Sequence, residues 1–234
     1  SEANGGTGTW EPGWRLGAKD EDGRFEATKD GLVIWVWPDQ IRTQITPTNL
    51  DSLVRIHVPK ELCAMSPGFY VALGNAPPPD SPPKVLTRLY WHLTVDCAER
   101  ALALVTSTLN DLGVPFRFKV VAHPQAFTRA DAGVLYLDLE AFLANWSMLC
   151  RLHQTIKPYL RPEVPRFVKP LAPGLGVAED PANGESFGQH RCRIVAAALW
   201  SAWKLDRQTE AERIEAAKLA FLNEGLDPDR PYLA

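Results

Sequence analysis

The sequence predicts an α+β protein: a mixed sheet with helices, preceded by a β-rich N-terminal segment. Three observations carry this. Apolar residues alternate with a period of two in several short runs, the pattern of half-buried strands. Beyond residue 96 the apolar period changes to that of helices. Between these regions lies NAPPPDSPPK, residues 75–84, too rich in proline for either element.

The elements follow in order. SEANGGTGT, residues 1–9, is expected to be a tag remnant or a disordered end. Residues 10–75 form the β-rich segment. Within it FEATKDGLVIWVW carries an Asp-Gly pair between alternating runs, a hairpin signal. SLVRIHV and GFYVALG read as further strands. The proline-rich stretch suits a surface loop or a linker. The β-rich part is short for a core of its own, so a single domain over 10–234 is expected, with its catalytic part at 85–234. RLYWHLTV, residues 88–95, is a strand. DCAERALALVTSTLNDLG is a helix capped by Asp96 and ended by Gly113. PFRFKVVA and GVLYL are strands, and residues 138–157 a helix ending before Pro158. Residues 161–186 read as a long Pro/Gly-rich loop, a length that points to function or disorder. A helix starts near Glu185, and a last one spans 209–224 before Gly225.

Composition excludes several classes. The 234 residues are 45% hydrophobic and 23% charged, ordinary for a water-soluble globular chain. A net charge of -3 gives no reason to expect nucleic acid. No apolar run reaches the ~20 residues of a membrane helix, and no signal-peptide pattern opens the chain. Cys63, Cys97, Cys150 and Cys192 are scattered, as reduced thiols of a cytoplasmic protein would be. There is no HExxH spacing and no Gly-rich phosphate loop after a strand, so neither metal nor cofactor is expected.

Side-chain parity gathers the candidate residues. In RLYWHLTV, Leu89, Trp91 and Leu93 share one face, while Arg88, Tyr90 and His92 share the other. The same test puts Arg117 and Lys119 opposite Phe116 and Phe118, and Tyr136 opposite Leu135 and Leu137. Arg129 precedes the third strand, Lys169 lies in the long loop, and His190, Arg191 and Arg193 open the following helix. Taken singly, each is an ordinary surface or packing residue. Together they suggest a cationic wall suited to an anion, with phosphate the natural guess because arginine forks fit it bidentately.

SPGFYVALG, RLYWHLTV, GVPFRFKV, RADAGVLYL, KPLAPGLGVAEDP and GESFGQHRCR, in that order, resemble the motifs of the HopA-type effector family, over about residues 60–234. That family includes type III effectors of plant pathogens and lyase subunits of biosynthetic clusters for lanthipeptides and thioamide-containing peptides. More distantly, WHLTV and FKV resemble the histidine- and lysine-bearing strands of the phosphothreonine lyases of enteric pathogens. The likeness implies a phosphothreonine-lyase-like catalytic part and a carbon–oxygen lyase acting by β-elimination. In it Lys119 is the base, His92 the acid, Tyr136 a further catalytic contact, and Arg129, Arg191 and Arg193 bind phosphate or substrate; Arg88, Arg117 and Lys169 join these binders from the cationic cluster. Tyr90 departs from the pattern, standing where those lyases carry a second lysine, and the arginine spacings differ as well. The implied substrate is a ribosomal precursor peptide phosphorylated on Ser or Thr by a separate kinase, since neither HRD nor DFG occurs in this chain. The alternatives are a secreted effector lyase acting on a host phosphoprotein and a non-catalytic phosphopeptide-binding subunit.

Overall fold

A computed structural model describes residues 2–42, 53–63, 66–78 and 85–234 of the chain. Strand β1 (Thr9–Lys19) pairs with β2 (Phe25–Lys29), and β2 turns into β3 (Leu32–Val36). Asp30 and Gly31 make that turn at φ 49° and 79°, the left-handed pair that a two-residue hairpin needs. With β4 (Ile41–Arg42) and β5 (Leu53–Val58) these form a sheet in the order β3-β2-β1-β5-β4. It buries Trp14, Ala27, Val36, Val54, Ile56 and Val58.

The second sheet contains β6 (Glu61–Leu62), β7 (Phe69–Leu73), β8 (Leu86–Trp91), β9 (Arg117–Val121), β10 (Gly133–Asp138), β11 (Lys169–Ala172) and β12 (Leu175–Glu179). Their order is β11-β12-β8-β10-β9-β7-β6. The α+β class is that expected, but the strand directions are not mixed, because every described pairing is antiparallel. The reason lies in one crossover. Helix α1 (Val95–Asp111) carries the chain from β8 to β9, which run parallel to each other, but β10 inserts between them and pairs antiparallel with both.

Each face of this sheet has its own cover. Leu89, Trp91, Phe118, Val120, Leu135 and Leu137 face α1 and α3 (Trp146–Ile156), which contribute Cys97, Leu102, Val105, Leu109, Leu149 and Leu152. Each fully buried leucine or phenylalanine here contributes roughly 1.5–3 kcal/mol. On the opposite face Tyr90, Val134 and Ala178 meet Phe187 of α4 (Phe187–Lys204). Helix α5 (Glu210–Asn223) packs Phe221 against Ile194 of α4. Farther along that face, Leu73 joins the core of the five-stranded sheet. The face is therefore flanked by helices at one side and by the other sheet at the other.

Four expectations change. Residues 2–9 do not hang free: Asn4 is buried, its Nδ2 donates to Lys60 O and Tyr70 Oη at 2.9 Å each, and Thr9 opens β1. Residues 138–157 are not one helix, because Asn145 separates α2 (Leu139–Ala144) from α3. The long loop of 161–186 contains the β11–β12 hairpin, whose turn uses Pro173 and Gly174, the latter at φ 70°. Asp96 does not cap α1, since Thr94 precedes its first residue. Of the proline-rich stretch, residues 79–84 lie outside the described residues.

Candidate functional site

The ladder register turns the strand parities into a grid. Ala178, Arg88, Tyr136, Arg117 and Leu73 lie side by side across β12, β8, β10, β9 and β7. The next row on that face is Gly176, Tyr90, Val134, Lys119 and Val71. A third row begins with Gly174, whose carbonyl accepts from His92 N at 3.0 Å, and ends with Val121 opposite Phe69. Side chains directly opposite in antiparallel strands project to the same side, so one sheet face collects Arg88, Tyr90, Lys119, Arg117 and Tyr136.

Aromatic rings separate the cations. Tyr136 lies between Arg88 and Arg117, whose guanidinium carbons are 5.3 and 5.2 Å from its ring centre. Phe69 does the same for Lys119 and Arg129, at 3.8 and 4.8 Å. Cation–π attraction offsets part of the repulsion among like charges. Carboxylates that the strand parities could not supply arrive from loops. Asp131 forms a fork with Arg129 at 2.5 and 2.8 Å, and Asp180 accepts from Arg88 Nε at 2.6 Å.

These surroundings act on the titrating groups. Burial pushes the half-buried Lys119 ammonium below the ordinary lysine range; Asp131 opposes this, and Arg129 and Arg88 add to it. Burial raises the Tyr136 and Tyr90 phenols, against the pull of Arg88 on both and of Arg117 on Tyr136. Burial works against the charge of Arg88, but Tyr136, Tyr90 and Asp180 outweigh it and its guanidinium is held protonated. The arrangement can bind an anion across several arginines and offers a lysine shifted toward its neutral, nucleophilic or basic form.

His92 stands apart from the cations. It follows the last residue of β8 and is buried, with Nδ1 3.1 Å from the Glu163 carbonyl. A carbonyl only accepts, so Nδ1 carries the proton in this contact and Nε2 is left for other chemistry. Nε2 is buried with no hydrogen-bond partner. Lys119 is two strands across and one row along, on the order of 12 Å from His92 between Cα atoms at sheet spacings. The two do not touch.

Three expected site residues are placed elsewhere. Arg191 is fully buried; its Nε and Nη2 donate to the carbonyls of Pro231 and Leu233 at 2.8 and 2.5 Å, and its Nη1 lies 2.5 Å from His190 Nδ1. It holds the C-terminal tail and has no fork left for phosphate. Arg193 turns outward to Glu185, at 3.1 Å, and Glu224, at 3.8 Å. Lys169 occupies the outermost strand, with its ammonium 5.5 Å from the Tyr232 ring centre. The structure thus brings together Arg88, Arg117, Lys119, Arg129 and Tyr136. Parity alone missed Phe69, Asp131, Glu163 and Asp180. The only sequence signal for Asp131 was its place two residues after Arg129. Among the described residues no group of three or more His, Cys, Asp or Glu side chains is arranged to hold a metal ion, and no helix is long and apolar enough to cross a membrane.

With this geometry in place, comparison with known proteins identifies the family. Residues 62–233 match the HopA1 effector protein family, and the chain belongs to it. The match spans every residue of the candidate site. A solved structure of an effector protein from Pseudomonas syringae pv. tomato strain DC3000 is similar at 19% identity and a TM-score of 0.52, over 70% of this chain and 62% of that one. A second, of an effector from Pseudomonas syringae pv. syringae strain 61, is 17% identical with a TM-score of 0.48 and the same coverages. The first likeness concerns the fold alone, and the chain spans about 62% of that effector's length. No curated protein matches the chain.

Proposed function

We propose that this member of the HopA1 effector protein family is a phosphoserine/phosphothreonine lyase. Its substrate would be a ribosomal precursor peptide phosphorylated by a separate kinase, and its product dehydroalanine or dehydrobutyrine. One observation carries the reading: Lys119, shifted toward its neutral form, shares a sheet face with Arg88 and Arg117 and a phenylalanine with Arg129. A phosphate alone would be served by any basic patch. Elimination needs a base beside it as well, and a desolvated lysine among arginines meets that need.

In this reading the arginines hold the phosphate and the neutral Lys119 amine takes the α-hydrogen. The C–H electrons form the Cα–Cβ double bond, the Cβ–O bond breaks, and phosphate leaves with its bonding pair. Arg88, Arg117 and Arg129 neutralise the departing charge. Tyr136, held between two guanidiniums, orients the phosphate by its hydroxyl. His92, as an imidazolium that keeps its Nδ1 proton on the Glu163 carbonyl, donates its Nε2 proton to the leaving oxygen once the substrate displaces the groups that bury that nitrogen. Residues 10–234 act as one unit, with 85–234 carrying the chemistry.

The family name favours a second reading, an effector lyase whose substrate is a phosphoprotein of another organism. The chemistry of the site is the same, and only the substrate differs. A phosphopeptide-binding subunit without catalysis would keep the arginines and gain nothing from the shifted lysine. Mass spectrometry of a synthetic phosphopeptide incubated with the protein separates these cases. Loss of phosphoric acid supports a lyase, loss of the phosphoryl group alone means a phosphatase, and binding without change means a recognition subunit. Parallel incubation with folded phosphoproteins distinguishes the two lyase readings.

A further inference from the structure

A cavity of about 290 Å³ lies between the two sheets, beyond the first row of the grid. Trp14, Leu32 and Val58 wall it from the five-stranded sheet, Leu62 and Leu73 from the other, and Phe116 from the position just before β9. Arg117 and Tyr136 belong both to its lining and to the cationic face, so the two spaces share a border. Its carboxylates are already engaged. Glu11 is paired with Lys29 at 2.6 Å, and Asp138 accepts from Ala141 N at 2.6 Å as the cap of α2. What remains for an occupant is an apolar wall with a charged rim on one side only.

We infer that this cavity is a specificity subsite, taking one large apolar side chain of the peptide whose phosphorylated residue lies on the cationic face. The inference rests on the lyase reading for the identity of its ligand. Lys119 lies two residues beyond the cavity border at Arg117 along β9. Alternate residues of an extended peptide are about 7 Å apart, so the apolar residue lies two to four positions from the phosphorylated one. A leucine or phenylalanine leaving water for such a wall strengthens binding roughly tenfold or more. Sequence selection by this chain would thus come from the junction of the sheets, while the arginines read only the phosphate.

The test is a set of phosphopeptides with a single leucine moved through the four positions on each side of phosphoserine, in an otherwise Gly/Ser/Lys background. Elimination is followed by mass spectrometry and binding by fluorescence anisotropy, using the full chain. Leucine at one position two to four residues away should raise kcat/KM roughly tenfold over glycine. Ala76→Phe at the half-exposed mouth and Leu62→Trp in the wall should each bring that ratio close to one. No leucine preference at any position, or a preference that survives in both variants with the fold intact by circular dichroism, overturns the inference. A leucine preference in binding with no elimination would sink the lyase reading and leave the subsite standing. Peptides neither bound nor eliminated would sink both.

Discussion

Two groups of arginine and lysine in this molecule have the same side-chain chemistry and opposite fates. On the sheet face, Arg117 and Arg129 lie against aromatic rings and remain exposed enough to meet a ligand. On α4, Arg191 lies over a ring as well, 5.0 Å from Phe187, but its fork is closed by the carbonyls of Pro231 and Leu233. The ring is common to both groups. The difference lies in what completes the guanidinium: backbone carbonyls close the Arg191 fork, whereas a side-chain carboxylate meets Arg129, and a backbone carbonyl cannot step aside for an incoming anion as a side chain can. Proximity to a cationic motif is therefore a poor guide to phosphate binding, and the unfilled donors of each cation are a better one.

Substitutions on both sides can break or sharpen this contrast. The largest effect should come from Lys119→Ala, with elimination falling by at least the ~10²–10⁴-fold typical of a lost general base while phosphopeptide affinity largely survives. Because the Lys119 pKa is lowered from its ordinary 10.5, the wild-type rate should rise with pH and level off before pH 10.5. A rising limb centred at or above that value would remove Lys119 as the base.

Arg191→Met should instead destabilise the fold, by about 2–4 kcal/mol, since the tail carbonyls lose charged donors inside the protein. Chemical denaturation measures this; an unchanged midpoint would contradict the role of Arg191 as a clamp. Arg117→Ala should do the reverse, weakening phosphopeptide binding about tenfold, the worth of one charge-assisted hydrogen bond, at little cost in stability. Isothermal titration compared with denaturant midpoints separates the two.

His153 is the limiting case, a buried titratable group offered neither carbonyls nor carboxylates: both its ring nitrogens are buried and unpartnered. Burial, then Lys157, lowers its pKa below 6.5. The unfolded chain therefore takes up the proton first. This contribution to stability is intact above about pH 6.5 and is lost as pH falls toward the folded-state value. Melting temperatures between pH 7 and 5 should fall less in His153→Leu than in the wild type. Arg193→Ala should have the smallest effect, within about 0.5 kcal/mol in stability and with no change in phosphopeptide affinity.

The alternation in RLYWHLTV, PFRFKVV and VLYL was enough to gather Arg88, Tyr90, Arg117, Lys119 and Tyr136 on one face, because in a paired sheet parity survives folding. The Asp30-Gly31 hairpin was legible for an equally local reason, the φ its turn requires. Less legible was whatever depended on chain segments meeting. The β11–β12 hairpin reads as loop because Pro170, Pro173 and two glycines mask its alternation, yet it pairs directly with β8. The cover over His92 comes from Glu163, which no periodicity marks. Arg191 looked like a ligand in sequence because its acceptors lie some forty residues away at Pro231 and Leu233.

The fork between Arg129 and Asp131 gives the cationic face a tethered rival to its own ligands. Two residues of chain hold that carboxylate at a local concentration of millimolar or more. A free acidic side chain carries the same single charge and must displace it at an entropic disadvantage. A phosphate ester near neutral pH carries almost twice that charge and more acceptor oxygens, so it is the better exchanger. Under the proposed lyase reading, aspartate and glutamate peptides, abundant mimics of phosphorylated ones, are thereby discounted before any shape is read.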